Sequence, residues 1–92
     1  MIKRTLIISY DLHSPGQNYN ALINKIKSFG FWAKLGESAY LINTEETVAE
    51  VRDYLKAVLD SNDSLFVGVS PPPAAWYGLP NEVANWLLNN QK

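Results

Sequence analysis

The stretch Thr5-Leu6-Ile7-Ile8-Ser9-Tyr10 constrains this chain more than any other. It is β-branched, aliphatic and aromatic, too short for a helix and followed by turn residues, so it reads as a strand. Apolar groups stand on both faces: Leu6, Ile8 and Tyr10 on one, Ile7 with Thr5 and Ser9 on the other. A strand that is apolar on both faces belongs in the middle of a sheet. Lys3 and Arg4 precede it, and it delivers Asp11 to its carboxyl end, where an exposed carboxylate can do chemistry.

The remaining elements follow in order. Leu12-His13-Ser14-Pro15-Gly16 is a loop whose Pro-Gly pair fixes a turn. A helix is expected from Gln17 to Phe29, because Tyr19, Leu22, Ile23, Ile26 and Phe29 form one apolar stripe. Lys25 and Lys27 suit its negative end, and Gly30 is the expected left-handed stop. Phe31 to Leu35 reads as a strand, Gly36-Glu37 as a hairpin link, and Ser38 to Asn43 as the next strand. Asn43 or Thr44 can cap a second helix with Glu45 and Glu46 in its first turn. The stripe of that helix is Val48, Val51, Leu55, Val58 and Leu59. After the polar turn Asp60-Ser61-Asn62-Asp63 comes a fourth strand, Ser64 to Ser70.

Strand–helix–strand–strand–helix–strand is the split βαβ arrangement of ferredoxin-like domains. The expected fold is therefore α+β: a ferredoxin-like βαββαβ antiparallel sheet with both helices on one face and strand order 4-1-3-2. Residues 1–70 make this core. Residues 71–92 add Pro71-Pro72-Pro73, which cannot continue a central strand, and a C-terminal helix from Asn81 to about Asn89. The helix edge of Val83, Trp86 and Leu87 must dock somewhere, within what is expected to be one domain. Several large aromatics, Trp32, Trp76 and Tyr77, stand outside the main helix stripes and are expected to cover an open sheet face or a partner subunit.

Composition narrows the function classes. An apolar fraction of 47% with 18% charged residues describes an ordinary globule, not a disordered tail. A formal net charge of −1 argues against a strongly basic nucleic-acid binder, while leaving room for a local basic patch. The absence of cysteine removes disulfides and thiolate metal sites and suits a reducing cytoplasm. No apolar run approaches the ~20 residues needed to span a bilayer. The first residues lack the length and cleavage site of a signal peptide.

Asp11 is the first chemical candidate, since an oxygen ligand at the end of a central strand suits magnesium or manganese. One carboxylate is a poor site alone, and in a two-fold dimer the second could be the other chain's Asp11. Equally, Asp11 could accept hydrogen bonds from the amides of the following loop. His13 is the lone histidine and could serve as a general acid or base, or simply be an exposed loop residue. With no second histidine and no cysteine, zinc is excluded. No phosphate-binding glycine loop is present, and no serine lies on a nucleophile elbow. Lys3, Arg4, Lys25, Lys27 and Lys34 could hold phosphates of a nucleic acid. Trp32, Tyr40 and Tyr10 could stack on bases if they lie on the face the helices leave open; on that face aromatics more often make dimer contacts.

Ser9-Tyr10-Asp11-Leu12 at the end of a first strand resembles the start of the CRISPR-associated protein 2 family. The first-helix length, the Gly30 stop and Glu37-Ser38-Ala39-Tyr40-Leu41 are similar too. A resemblance covering nearly the whole chain is to small bacterial and phage proteins labelled SinR-like. It rests on Ser9-Tyr10-Asp11-Leu12, Pro15-Gly16-Gln17-Asn18-Tyr19, Leu59-Asp60-Ser61-Asn62-Asp63, Ala74-Ala75-Trp76 and Gly78-Leu79-Pro80. These resemblances imply a ferredoxin-like homodimer, related also to the virulence-associated protein D group. Some members there are reported as metal-dependent nucleases, with the aspartate matching Asp11 as proposed magnesium ligand. Two departures stand out. Where the CRISPR family carries an arginine-rich approach to its first helix, this chain has His13-Ser14-Pro15-Gly16-Gln17-Asn18, with no arginine or lysine. Where that family often swaps a final strand, this chain offers three prolines and a helix.

Two expectations result. The favoured one is a non-catalytic, cytoplasmic homodimeric interaction module without a cofactor, a phage or toxin–antitoxin accessory protein with an RNA or protein partner and no membrane association. The alternative is a magnesium-dependent endoribonuclease in which Asp11 of both subunits binds the metal and His13 or Ser9 assists.

Overall fold

A computed structural model describes residues 3–12, 19–70 and 75–90. Its elements are β1 (Arg4–Asp11), α1 (Tyr19–Lys27), β2 (Trp32–Gly36), β3 (Ala39–Thr44), α2 (Val48–Lys56), β4 (Ser64–Val69) and α3 (Asn81–Asn90). The strands form one antiparallel sheet in the order β2-β3-β1-β4. Read from the β4 edge this is 4-1-3-2. β1 is central, paired by Leu6 with Ile42 on one side and Val69 on the other.

The two-sided apolarity of β1 is used on both faces. Leu6, Ile8 and Tyr10 point into a core with Tyr40 and Ile42 of β3, Leu22 and Ile26 of α1, and Val51 and Leu55 of α2. Leu22 with Ile26, and Val51 with Leu55, are one helical turn apart, so each helix buries a single stripe. On the opposite face Ala33, Leu41, Val83 and Leu87 make a second cluster, with Ile7, Leu35, Leu79 and Trp86 against it. Thus α1 and α2 share one face and α3 lies on the other, over the β2–β3 side. Leu79 packs against this cluster, and Trp76 lines a hollow on the same face with Ile7, Leu41 and Leu87.

Several boundaries differ from the expectation. Gln17 and Asn18, the proposed start of α1, lie outside the described residues. The C-terminal stop holds: Gly30 takes φ +86°, and its amide donates to the Lys27 carbonyl at 3.0 Å. The hairpin turn is Glu37-Ser38; Gly36 still pairs with Ala39, and a bulge lies between Lys34 and Gly36.

The cap of α2 is neither Asn43 nor Thr44. Both remain in β3, opposite Thr5 and Arg4. Thr47 caps instead. Its hydroxyl accepts from the Glu50 amide at 3.1 Å, while the Glu50 carboxylate accepts from the Thr47 amide at 2.8 Å. Thr47-Val48-Ala49-Glu50 is a capping box, a stronger start signal than a lone Asn or Thr. Glu45 and Glu46 consequently sit ahead of the helix, where the Glu46 amide donates to Thr44 Oγ1 at 3.2 Å. The helix closes at Lys56, so Val58 and Leu59 reach the core from the turn that follows it.

Candidate functional site

Asp11 ends β1 directly opposite Ser64 of β4, and Ser9 faces Phe66. Neighbours opposite one another in an antiparallel pair share a face, so Ser9, Asp11, Ser64 and Phe66 stand together on the α3 side of the sheet. α3 covers the far half of that side and leaves these four exposed. They line a shallow hollow of about 170 Å³ with Tyr10 and Leu65. The donor set is one carboxylate and two hydroxyls. Magnesium favours carboxylates, waters and substrate phosphate, so a single copy supplies only part of such a site. Among the described residues no three His, Cys, Asp or Glu side chains come together. His13 lies outside the described residues.

Tyr10 and Tyr40 are not available for stacking on bases. Both point into the α1–α2 core, 4% and 3% exposed. The even positions of β1 face the helices, and Tyr40 pairs with Ile8 on that same face. Tyr10 donates its hydroxyl to the Glu37 carbonyl at 3.3 Å. Burial, then the nearby Tyr40 and Tyr19 phenols, hold its pKa above the ordinary 10.0.

The lysines are divided among aromatic partners rather than gathered in one track. Lys3 lies 4.0 Å from the Phe31 ring centre, Lys25 lies 3.8 Å from that of Tyr54, and Lys27 lies 4.6 Å from that of Trp32. Lys34 instead borders a hollow of about 330 Å³ between β2 and α3, with Trp32, Trp86 and Glu82. Arg4 is exposed at the start of β1. Lys3, Lys27, Phe31 and Trp32 thus gather near the start of β2, whereas Lys25 belongs to the α1–α2 seam.

The feature that motif-reading overlooked is β4. From Ser64 to Ser70 the chain carries no charge, and it forms one of the two sheet edges. Phe66 and Val69 on it are 62% and 51% exposed. The Phe66 ring lies back over Gly68: a Cβ there would stand 2.8 Å from Phe66 Cε2 and 2.9 Å from Cζ, so a side chain at this position would push the ring aside. The signal was an uncharged strand with an internal glycine. No family model and no curated protein matches this chain. Among the described residues no helix is long and apolar enough to cross a membrane.

Proposed function

We propose that this chain is a ferredoxin-like homodimeric interaction module, non-catalytic and related to CRISPR-associated protein 2 and the SinR-like proteins, acting as a phage or toxin–antitoxin accessory protein. The observation that supports it most is the contrast between the two edges of the sheet. The β2 edge is guarded by a bulge, by Lys34 and by α3 beside it. These are the devices by which proteins keep an edge from pairing with another chain. The β4 edge has neither a bulge nor a charged residue in its strand among the described residues, and α2 beside it leaves Phe66 and Val69 exposed. It offers an uncharged strand with a row of backbone donors and acceptors and two exposed apolar side chains. A strand of that kind serves association.

Asp11 supports the second reading, a magnesium-dependent endoribonuclease using Asp11 of both subunits, because its side chain is exposed at a strand end beside Ser9 in an open hollow. Bound magnesium would supply charge stabilisation for a phosphodiester and a more acidic water. Asp11 would hold it, and Ser9 or His13 would orient substrate or carry a proton.

Light scattering on the eluting protein, with single-turnover cleavage of labelled single-stranded RNA, separates the two. The module reading expects a dimer that cleaves no RNA, with magnesium or with chelator. Metal-dependent cleavage that disappears in a folded, dimeric Asp11→Ala variant would make the protein an enzyme. A monomer at every accessible concentration removes the module.

A further inference from the structure

We infer that two copies join β4 to β4, antiparallel, about a two-fold axis passing beside Val67, so that their sheets become one; the inference rests on the homodimer reading above. The backbone phase of β4 gives the first argument. The Tyr10 amide donates to the Ser38 carbonyl at 3.0 Å on the β3 side, and the Ser70 amide donates to the Thr5 carbonyl at 2.8 Å on the β4 side. Backbone groups alternate in direction along a strand. Ser64, Phe66 and Gly68 therefore turn theirs to Asp11, Ser9 and Ile7 of β1 respectively, and Leu65, Val67 and Val69 turn theirs outward. In sheet pairing these outward groups must meet their own kind.

Symmetry then selects the register. A two-fold axis perpendicular to the sheet keeps each face continuous only if it passes beside a residue, because opposite residues share a face. An axis at Phe66 sets Leu65 against Val67 of the second copy, but leaves Val69 opposite the charged Asp63. An axis at Val67 sets Val67 against itself and Leu65 against Val69, so each outward amide and carbonyl finds a partner. Side chains agree with this choice. Phe66 falls opposite the glycine at position 68 of the second copy, over which that copy's own Phe66 ring already lies, so the two rings meet on this face. On the other face Leu65 and Val69 make an apolar cross-strand pair. Beside them lies a notch of about 230 Å³ lined by Val48, Ala49, Arg52, Leu65 and Val67, into which Val69 of the second copy can seat. No like charges meet, since the strand has none.

This geometry bears on Asp11. From Asp11 to its counterpart the path crosses three strand spacings, about 14 Å, and runs six residues along the strand, about 20 Å. The two carboxylates stand about 25 Å apart, far beyond the reach of one metal ion.

The absence of native cysteine makes the test direct. In Phe66→Cys the two thiols lie one strand spacing and two residues apart, about 8 Å, within reach of a short bis-maleimide. Lys34→Cys on the β2 edge is the control. Phe66→Cys is expected to give covalent dimer and Lys34→Cys none. Val67→Pro removes an outward amide and leaves the β1 ladder intact, as an edge proline can. It should weaken the dimer about tenfold or more. Val69→Lys, which sets a charge opposite Leu65, should do the same and decides the matter if the proline variant does not fold. A dimer that survives both substitutions, or that cross-links through Lys34→Cys alone, overturns the β4 pairing while leaving the dimeric reading intact. A monomeric wild type overturns both.

Discussion

Replacing Thr47 with alanine is expected to destabilise the protein by about 1 kcal/mol, the usual cost of losing an N-cap side chain. The figure follows from what the hydroxyl does. It accepts from the Glu50 amide at 3.1 Å, and both residues are exposed, so water takes over the amide and no buried donor is stranded. The loss is not confined to one bond, because α2 has only nine residues and holds Val51 and Leu55, both fully buried. Glu50→Ala removes the reciprocal bond of 2.8 Å and a favourable charge near the helix N-terminus, for about 0.5 kcal/mol. The two bonds brace one another, so the double variant should fall short of the sum by a few tenths of a kcal/mol or more. Urea unfolding followed by far-ultraviolet dichroism measures all three, and each kcal/mol should lower Tm by about 4–8 °C. Thr47→Ser keeps the acceptor and should lie close to wild type. If Thr47→Ala sits within about 0.3 kcal/mol of wild type, or Thr47→Ser loses as much as alanine does, the cap is elsewhere.

Three further outcomes are expected. Leu87→Ala should cost about 2 kcal/mol in urea unfolding, the low end for a buried leucine because its cluster lies at the sheet margin. An unchanged midpoint would mean that α3 does not rest on the sheet. Gly30→Ala forces an L side chain to φ +86° and should cost about 1–2 kcal/mol in the same measurement. Tyr10 predicts an alkaline loss of stability. Its folded pKa is raised, chiefly by burial, so its contribution is complete below the unfolded value of 10.0 and declines as pH rises toward the folded one. Urea midpoints from about pH 9 to about pH 11 should fall for wild type and fall less steeply for Tyr10→Phe. Equal slopes would count against the burial argument.

The strand order could be read in the sequence because β1 differs so plainly from its neighbours: only a strand covered on both sides can afford Ile7 alongside Leu6 and Ile8. The α1 stripe and the Gly30 stop were equally local. What covers the second face was legible only halfway. Ile7, Leu35 and Leu41 required a cover, and Val83, Trp86 and Leu87 required a place to dock, but no local rule joins two groups more than forty residues apart in the chain. The α2 cap was misplaced for another reason. Asn43 and Thr44 have cap chemistry, yet the pairing of Thr44 with Arg4 keeps them in the sheet. At the site, the exposed strand-end position of Asp11 was readable. The inward turn of Tyr10 and Tyr40 followed from the parity of β1, had that parity been carried across to β3. The importance of β4 was harder to see, because an exposed edge is a property of the assembled sheet.

The placement of β1 also has a consequence on the ribosome. The strand that sits in the middle of the finished sheet is the first to be synthesised, and its outer neighbour β4 follows roughly sixty residues later. At ~5–20 residues per second that is about 3–12 s during which a strand with two apolar faces has no permanent neighbour on one side. α3, which shields the second face, emerges later still. Nascent chains should therefore engage a holding chaperone through Leu6-Ile7-Ile8, and release should track the emergence of β4.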